Sequence, residues 1–341
     1  NGGGPVPAQP AFPTPPTNPF DEPLTRIMRP YVYDPIRLPE AFTNFTKGFS
    51  RARIALFDTG PTVGENDFIG NEFKRPYPDN IHGIGTNLVP HGSMSYSLLA
   101  SQQNGLYGIG GCPDCNFERY LLNVTSQDPI IFLTDLLAAM EDLAVHSTSQ
   151  VINVGFGVPD LPQVREFLDE YIDPLSQSAN IVASAGGDPI ITTEGPGPAW
   201  YPASDERVLG VGATGAVEGT TINPLAIADY TNENPDVVAP GTGVYVPTAF
   251  NGNGNATYEL KEGTGFSTAL VSSVLGLLWS EYFETPTNFP RIQSLSQTEK
   301  VEYFKNLVEN TATDLGAPGR DSVFGHGLIN AQNALETMVR D

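Results

Sequence analysis

Short runs of apolar residues alternate along the chain with segments whose apolar residues recur at helical spacing. Each run ends at Gly, Asp or a small residue, as buried strands of a parallel sheet do. The predicted strands are 53–57, 151–154, 180–183, 208–211 and 236–238. The predicted helices are 92–103, 134–147, 162–178, 266–282 and 297–311, with a break expected at Pro174 in the third.

This alternation predicts an α/β fold of three layers, α/β/α, with a mainly parallel central sheet. Nothing after residue 25 resembles a linker, so residues 25–341 are expected to form one domain. Residues 1–24 are rich in Pro and Gly and are expected to form an extended arm. We expect this arm to dock on its own domain or on a neighbouring chain, where head-to-tail contacts would build a homo-oligomer, a ring or a filament.

Charge and hydropathy narrow the range of partners. The 341 residues include 39 acidic and 17 basic side chains, for a net charge of −22. This balance argues against nucleic acid and against anionic membrane surfaces, because both require clustered Lys and Arg. No apolar stretch reaches the roughly 18 residues of a membrane span. The chain has no initiator Met and no signal peptide, which we interpret as processing or trimming.

Two cysteines stand close together, as Cys112 and Cys115 in the sequence Cys-Pro-Asp-Cys. A zinc site requires a second ligand pair, and a redox motif should open a helix, whereas residues 120–122 have the pattern of a strand. A local disulfide in an oxidising compartment is therefore expected, the alternative being two reduced, buried thiols. Glycosylation in a eukaryotic secretory route would occur at the sequons of Asn44, Asn123 and Asn255. An extracellular location is expected.

Residues with catalytic chemistry lie where the predicted strands end and helices begin. Asp58 follows the first strand, at the sheet edge where such folds bind ligands. His91 opens a helix, and Gly265 lies in a glycine-rich turn that leads into an apolar helix. A carboxylate, an imidazole and a helix start in this order form the frame of a nucleophilic hydrolase. The alternative is structural, with Asp58 as a turn former and His91 as a helix-start residue.

The motifs around these residues resemble those of the subtilisin-like serine proteases, over about residues 36–337. Ala-Leu-Phe-Asp-Thr-Gly at 55–60 resembles the Asp motif, and His-Gly-Ser at 91–93 resembles the His motif. The segment Ala-Ser-Ala-Gly-Gly-Asp at 183–188 resembles the oxyanion motif. Further matches follow in the family's order at 111–115, 154–157, 201–213, 236–241 and 325–331. The resemblance implies a subtilisin-like fold, with Asp58 and His91 as catalytic residues and Gly155, Phe156 and Gly157 lining the bound peptide.

Two departures from the family pattern bear on activity. The family's serine motif reads Gly-Thr-Ser-Met/Phe-Ala, and the resemblance puts Gly265 at the nucleophile position. Gly187 falls where the family has the Asn of the oxyanion hole. In a protease of this family, losing the nucleophile costs about 10⁶-fold in kcat and losing one oxyanion donor about 10²–10³. Thr264 is too stiff to replace the serine, and Ser267 points about 200° away around the helix.

Three functions follow from this pattern. The first is a secreted, inactive pseudoprotease that serves as a structural or assembly module. The second is an active serine endopeptidase whose nucleophile was replaced by Gly265 for study. The third is a pseudoprotease that binds an extended peptide along 155–157. The expected partner is a protein or peptide. We predict no metal site and no cofactor, and calcium stays open, because Glu65, Asp67 and Asp114 lack a recognisable ligand spacing.

Overall fold

The fold is organised around a sheet whose central strands are short and buried on both faces. A computed structural model describes residues 16–59, 91–105, 107–122, 129–187, 197–250 and 256–341. Seven strands of this described part form the sheet, in the order β2-β1-β3-β4-β5-β6, with β7 also paired to β5. They are β1 Arg53–Thr59, β2 Asn116–Leu122, β3 Val151–Val154, β4 Asn180–Ser184, β5 Leu209–Glu218, β6 Thr221–Ile227 and β7 Val237–Pro240. A separate antiparallel pair comprises β8 Val244–Phe250 and β9 Ala256–Lys261.

Neighbouring strands of the central sheet run parallel except for β5 and β6. In the register of the central strands, Val151 lies opposite both Ile54 and Asn180. The predicted α/β fold with a mainly parallel sheet is therefore confirmed. Its functional consequence is that β1, β3 and β4 end at the same edge, where Asp58 and the segments after Val154 and Ser184 meet.

The helices cover both faces of this sheet. They are α1 Pro23–Val32, α2 Leu38–Asn44, α3 His91–Ala100, α4 Pro129–His146, α5 Pro162–Ser176, α6 Thr264–Glu284, α7 Pro290–Ser294, α8 Gln297–Asn310 and α9 Ala331–Arg340. All five predicted helices are present within a few residues of their expected bounds. The expected break at Pro174 is wrong, because the helix continues to Ser176. Pro174 lies in its last turn, where few hydrogen bonds remain to be lost.

Residues of the central strands β1, β3 and β4 enter two different hydrophobic cores, one on each face of the sheet, which gives the three-layer arrangement. In β1, Ile54 and Leu56 pack with α3 and α6, whereas Ala55 and Phe57 pack with α4 and α5. This two-residue alternation explains why the strands are continuous apolar runs. Helix α6 is the most buried helix of the described residues on its side of the sheet, and its start reaches the same edge as Asp58.

The packed structure begins before residue 24, the predicted end of the arm. Residues Pro19–Asp21 form a short 3-10 helix, and Phe20 is buried against the rings of Tyr33 and Phe42. The carbonyl of Pro16 also accepts a hydrogen bond from the Gln103 side chain. The predicted arm therefore contains an anchored part from residue 16 onward, and the expectation for residues 1–15 lies outside the described residues.

The expected disulfide between Cys112 and Cys115 is present in the turn before β2. Both residues are buried beside Gly276 of α6. Of the three sequon asparagines, Asn44 is exposed at the end of α2, and Asn123 and Asn255 lie outside the described residues. Within the described ranges, no helix has the length and apolarity needed to span a membrane.

Candidate functional site

Asp58 lies near the end of β1 with its carboxylate buried, only 2% of the residue being exposed. Gly155, the first residue after β3, lies directly beside it. A Cβ atom at position 155 would lie 2.4 Å from Asp58 Oδ2, which is far inside contact distance. Glycine at this position is therefore what allows the carboxylate to approach the end of the neighbouring strand.

The imidazole of His91 pairs with this carboxylate. His91 begins α3, and its Nδ1 lies 2.9 Å from Asp58 Oδ2 and 3.0 Å from Oδ1. The negative charge of Asp58 is the largest influence on the ring and raises the pKa of His91, with burial acting in the opposite direction. The side chain is 42% exposed, and the ring stacks on Phe266 with centroids 5.8 Å apart. With Nδ1 directed at the carboxylate, Nε2 is left to face the start of α6.

Ser95 also contacts the Asp58 carboxylate. Its hydroxyl donates to Asp58 Oδ2 at 3.1 Å, and the residue is fully buried. Ser95 has no role among the functions expected from the sequence. The signal was available in the spacing, because residues four apart on a helix lie on one face, so that His91 and Ser95 both reach Asp58.

Gly265 is the second residue of α6 and lies directly opposite His91. A Cβ atom at this position would lie 3.1 Å from His91 Nε2, 2.9 Å from Cε1 and 3.0 Å from the carbonyl oxygen of Gly155. The structure thus brings together Asp58, His91 and Gly265, three residues that are 33 or more positions apart in the chain. A side chain at 265 would contact the imidazole directly.

The two nearest hydroxyls on α6 have other neighbours. The Thr264 hydroxyl lies 2.7 Å from the hydroxyl of Ser184 in β4. Ser267 is fully buried, and its Oγ lies 2.6 Å from where a Cβ of Gly241 would be. Both residues therefore take part in the packing of α6 against the sheet.

Gly187 adopts a conformation that excludes a side chain. Its φ angle is +147°, and a Cβ atom there would lie 1.7 Å from the carbonyl oxygen of Tyr230. The preceding residues are fixed by Asn232, whose backbone N–H donates to the Gly186 carbonyl and whose amide donates to the Ala185 carbonyl. The segment after β4 is therefore held against the 230–232 backbone, with no room for a longer residue.

The segment 155–157 lies between the Asp58–His91 pair and the loop around residue 200. Phe156 stacks on Phe57, with ring centroids 5.9 Å apart. Just beyond it, Val158 forms two backbone hydrogen bonds with Tyr201. The three residues expected to line a bound peptide therefore start at the Asp58–His91 pair and lead away from it.

We find no grouping of three or more metal-ligating side chains in the described ranges. Of the acidic residues considered for calcium, Glu65 and Asp67 lie outside those ranges. Asp114 is half-buried, and burial raises the pKa of its carboxyl group.

A sequence profile described as the subtilase family matches residues 54–327, most of the chain. The chain belongs to the subtilase family. It is 25% identical over 303 residues to the minor extracellular protease Epr of Bacillus subtilis (strain 168). The alignment covers 87% of this chain but 40% of that protein, so the chain spans about two fifths of the length of this curated relative.

Solved structures show the same fold at low sequence identity. A lanthipeptide protease superimposes with a TM-score of 0.70 at 18% identity, covering 96% of this subtilase and 99% of that chain. The prenylagaramide maturation protease PagA gives a TM-score of 0.66 at 21% identity, covering 88% of this subtilase and 98% of that chain. Fervidolysin from Fervidobacterium pennivorans, a keratinolytic enzyme, gives a TM-score of 0.68 at 19% identity, covering 94% of this subtilase and 47% of that chain. These similarities establish the subtilisin-like fold.

Proposed function

We propose that this subtilase is a pseudoprotease, which binds an extended peptide in the cleft beside Asp58 and His91 and does not cleave it by serine chemistry. The observation that carries the proposal is the contact at residue 265. A side chain there would face His91 Nε2, with its Cβ 3.1 Å away, and glycine supplies no hydroxyl. We assign Gly265 to the nucleophile position on this basis, and Gly187 to the oxyanion position on the motif at 183–188.

The reaction of a serine hydrolase would stop at its first step in this site. The imidazole takes a proton from a hydroxyl, and the carboxylate stabilises the imidazolium that forms. Asp58 and Ser95 support the second half of that step, since the carboxylate raises the pKa of His91. No oxygen is attached at residue 265 to form the acyl bond. His91 Nε2 instead faces a bound peptide and, when protonated, donates a hydrogen bond to a peptide carbonyl.

The surroundings of Gly187 support the same conclusion independently. A side-chain donor at this position would begin where the Tyr230 carbonyl oxygen lies. That oxygen is itself an acceptor, so it cannot stabilise the negative oxygen of a tetrahedral intermediate. The site therefore lacks both the group that attacks and the side chain that would stabilise the product of attack.

Peptide binding without turnover tests the proposal. Fluorescein-labelled peptides from a casein digest would be incubated with the native chain, followed by fluorescence anisotropy and by mass spectrometry of the recovered peptides. We expect saturable binding, intact peptides, and weaker binding by His91→Ala. His146→Ala is the matched control, because His146 is also exposed and paired with an aspartate, Asp142, but lies on α4. Cleavage by the native chain that disappears in His91→Ala would contradict the proposal that the protein is a pseudoprotease. Absence of binding would contradict the proposal that its ligand is a peptide.

A second proposed role, assembly through the N-terminal arm, is supported by the anchoring of residues 16–21. Phe20 is buried and Pro16 is hydrogen-bonded to Gln103, so the chain before residue 16 departs from a fixed point. Deleting residues 1–15 keeps Phe20 in place and tests assembly without damaging the core. We expect light scattering to give fewer subunits per particle for the truncated chain, whereas an unchanged number of subunits would exclude this role.

We also propose that the protein acts outside the cell. The buried Cys112–Cys115 disulfide and the similarity to a protease named as extracellular support this location. Alkylation with iodoacetamide after unfolding in urea, followed by mass spectrometry, should leave both cysteines unmodified until a reductant is added. Immediate modification of both would indicate a reducing compartment.

A further inference from the structure

Two glycines on neighbouring segments face the same tryptophan side chain. Gly157 follows β3 and Gly186 follows β4, beyond the last paired residues of those strands, Val154 and Ser184. A Cβ atom at Gly157 would lie 2.9 Å from the Cβ of Trp200. A Cβ atom at Gly186 would lie 2.8 Å from Cδ2 and 2.9 Å from Cγ of the same residue. The Trp200 side chain thus occupies the space between the two segments.

Backbone contacts to both segments fix this side chain in place. The Trp200 N–H donates to the Ala185 carbonyl at 2.9 Å, beside Gly186. The next residue, Tyr201, exchanges two backbone hydrogen bonds with Val158, beside Gly157, at 2.8 and 2.9 Å. Trp200 is half-buried, so that part of the indole stays at the surface. Because the backbone is bonded on both sides, the Cα and Cβ atoms of Trp200 are fixed between the two segments.

The space that Trp200 fills adjoins the Asp58–His91 pair. Gly155 contacts Asp58, and two residues of extended chain separate Gly155 from Gly157 by about 6.6 Å. In open α/β sheets, ligand groups enter the crevice beyond the carboxyl ends of adjacent strands. A peptide lying along 155–157 would direct a side chain into that crevice, which here contains an indole of the protein itself.

We propose that Trp200 closes this crevice to large side chains, so that the peptide bound here presents Gly or Ala at that point. The inference rests on the proposed peptide-binding function. Small residues pack on the exposed part of the indole, whereas an aromatic or long aliphatic residue has no volume to enter. Trp200 is accordingly a specificity-determining residue for binding.

The test compares Trp200→Gly with the native chain on a matched peptide set. Fluorescein-labelled hexapeptides of Ser and Ala would differ at one position, occupied by Gly, Ala or Phe. In the native chain, we expect the Phe peptide to bind no more tightly than the others. The Phe peptide should bind to Trp200→Gly at least about tenfold more tightly than it binds to the native chain. Burial of a Phe side chain contributes enough binding free energy for this gain. The affinity for the Gly peptide should stay within about twofold.

Two controls separate this effect from unfolding and from loss of apolar surface. The chain has two tryptophans, and Trp279 is 1% exposed in the core, so its fluorescence reports an intact fold in Trp200→Gly. Trp200→Leu provides a second variant with a smaller vacated volume and should give an intermediate gain. Phe167→Ala removes a ring that is 52% exposed on α5, and it should leave all three affinities unchanged.

The outcomes distinguish the two proposals. A gain in affinity that is confined to the Phe peptide and to the Trp200 variants supports the inference. Peptide binding with the same Phe preference before and after substitution overturns the role of Trp200 and leaves the proposed function intact. Failure of every peptide to bind either folded protein overturns the proposed function and the inference with it.

Discussion

Replacing Gly187 with Ala should destabilise the protein strongly, because position 187 is closed to side chains. Its φ of +147° lies in a region that L-residues rarely adopt. The added Cβ would lie 1.7 Å from the Tyr230 carbonyl oxygen, where ordinary contact begins at 3.4 Å. One of the two backbone segments must then move by most of that difference, against the hydrogen bonds that Asn232 makes to the 185–186 backbone.

The expected loss has two parts. Backbone strain at such a φ costs about 1–3 kcal/mol, and overpacking of a filled site costs about 1–3 kcal/mol more. Gly219 provides the matched control, because its φ is also positive, at +67°, and nothing lies within 4 Å of its Cβ position. Gly219→Ala should therefore lose only the conformational part, about 1 kcal/mol.

Urea unfolding followed by circular dichroism measures both variants against the native chain. We expect Gly187→Ala to have the lower midpoint of the two, by the equivalent of at least about 1 kcal/mol. Equal midpoints would refute the reasoning and would mean that residue 187 has room for a side chain. An oxyanion asparagine would then be restorable by one substitution, which the structure argues against.

Further predictions concern the Asp58–His91 pair and the packing. Asp58→Asn should lower the pKa of His91, because the Asp58 charge is the main cause of its rise; an unchanged NMR titration would contradict this. A raised folded-state pKa stabilises the fold below about pH 6.5, and this contribution is lost as pH rises through the folded value. The urea midpoints of the native chain and of the His91→Gln variant should thus differ more at pH 5 than at pH 9. A larger difference at pH 9 would contradict this prediction. Phe20→Ala should cost about 3–5 kcal/mol of unfolding free energy, whereas a loss below about 1 kcal/mol would mean that the segment is not anchored. Arg207→Ala should lower the unfolding free energy by about 1–3 kcal/mol, because Asp205, only 6% exposed, would lose its closest guanidinium. An unchanged melting temperature in calorimetry would contradict this.

The central sheet and the meeting of Asp58, His91 and Gly265 were accessible from the sequence. Strands buried on both faces are continuous apolar runs, and parallel strands bring their ends to one edge. Strand β6 was not predicted, because it is half-exposed and its pattern contains Pro224. Phe20 was missed because one buried aromatic does not change the composition of a Pro-rich segment.

The contacts that close the site come from segments distant in sequence. The Tyr230 carbonyl limits Gly187, and the Trp200 side chain limits Gly157 and Gly186. A glycine in the sequence gives no indication of which neighbour occupies the volume of its missing side chain. Local periodicity therefore predicts where the cleft lies, and only the tertiary structure reveals which part of the cleft is filled.

Labelling of Gly265→Ser with a fluorophosphonate probe tests the central claim most directly. A Cβ at 265 requires His91 to shift by a few tenths of an ångström, which its half-exposed ring permits. The new hydroxyl would attack phosphorus and release fluoride as His91 takes the proton. We expect mass spectrometry to find the adduct at residue 265 in this variant, no adduct in the native chain, and none when His91→Ala is added. Labelling of the native chain, at Thr264, Ser267 or elsewhere, or a Gly265→Ser variant that folds and stays unlabelled, would contradict the account.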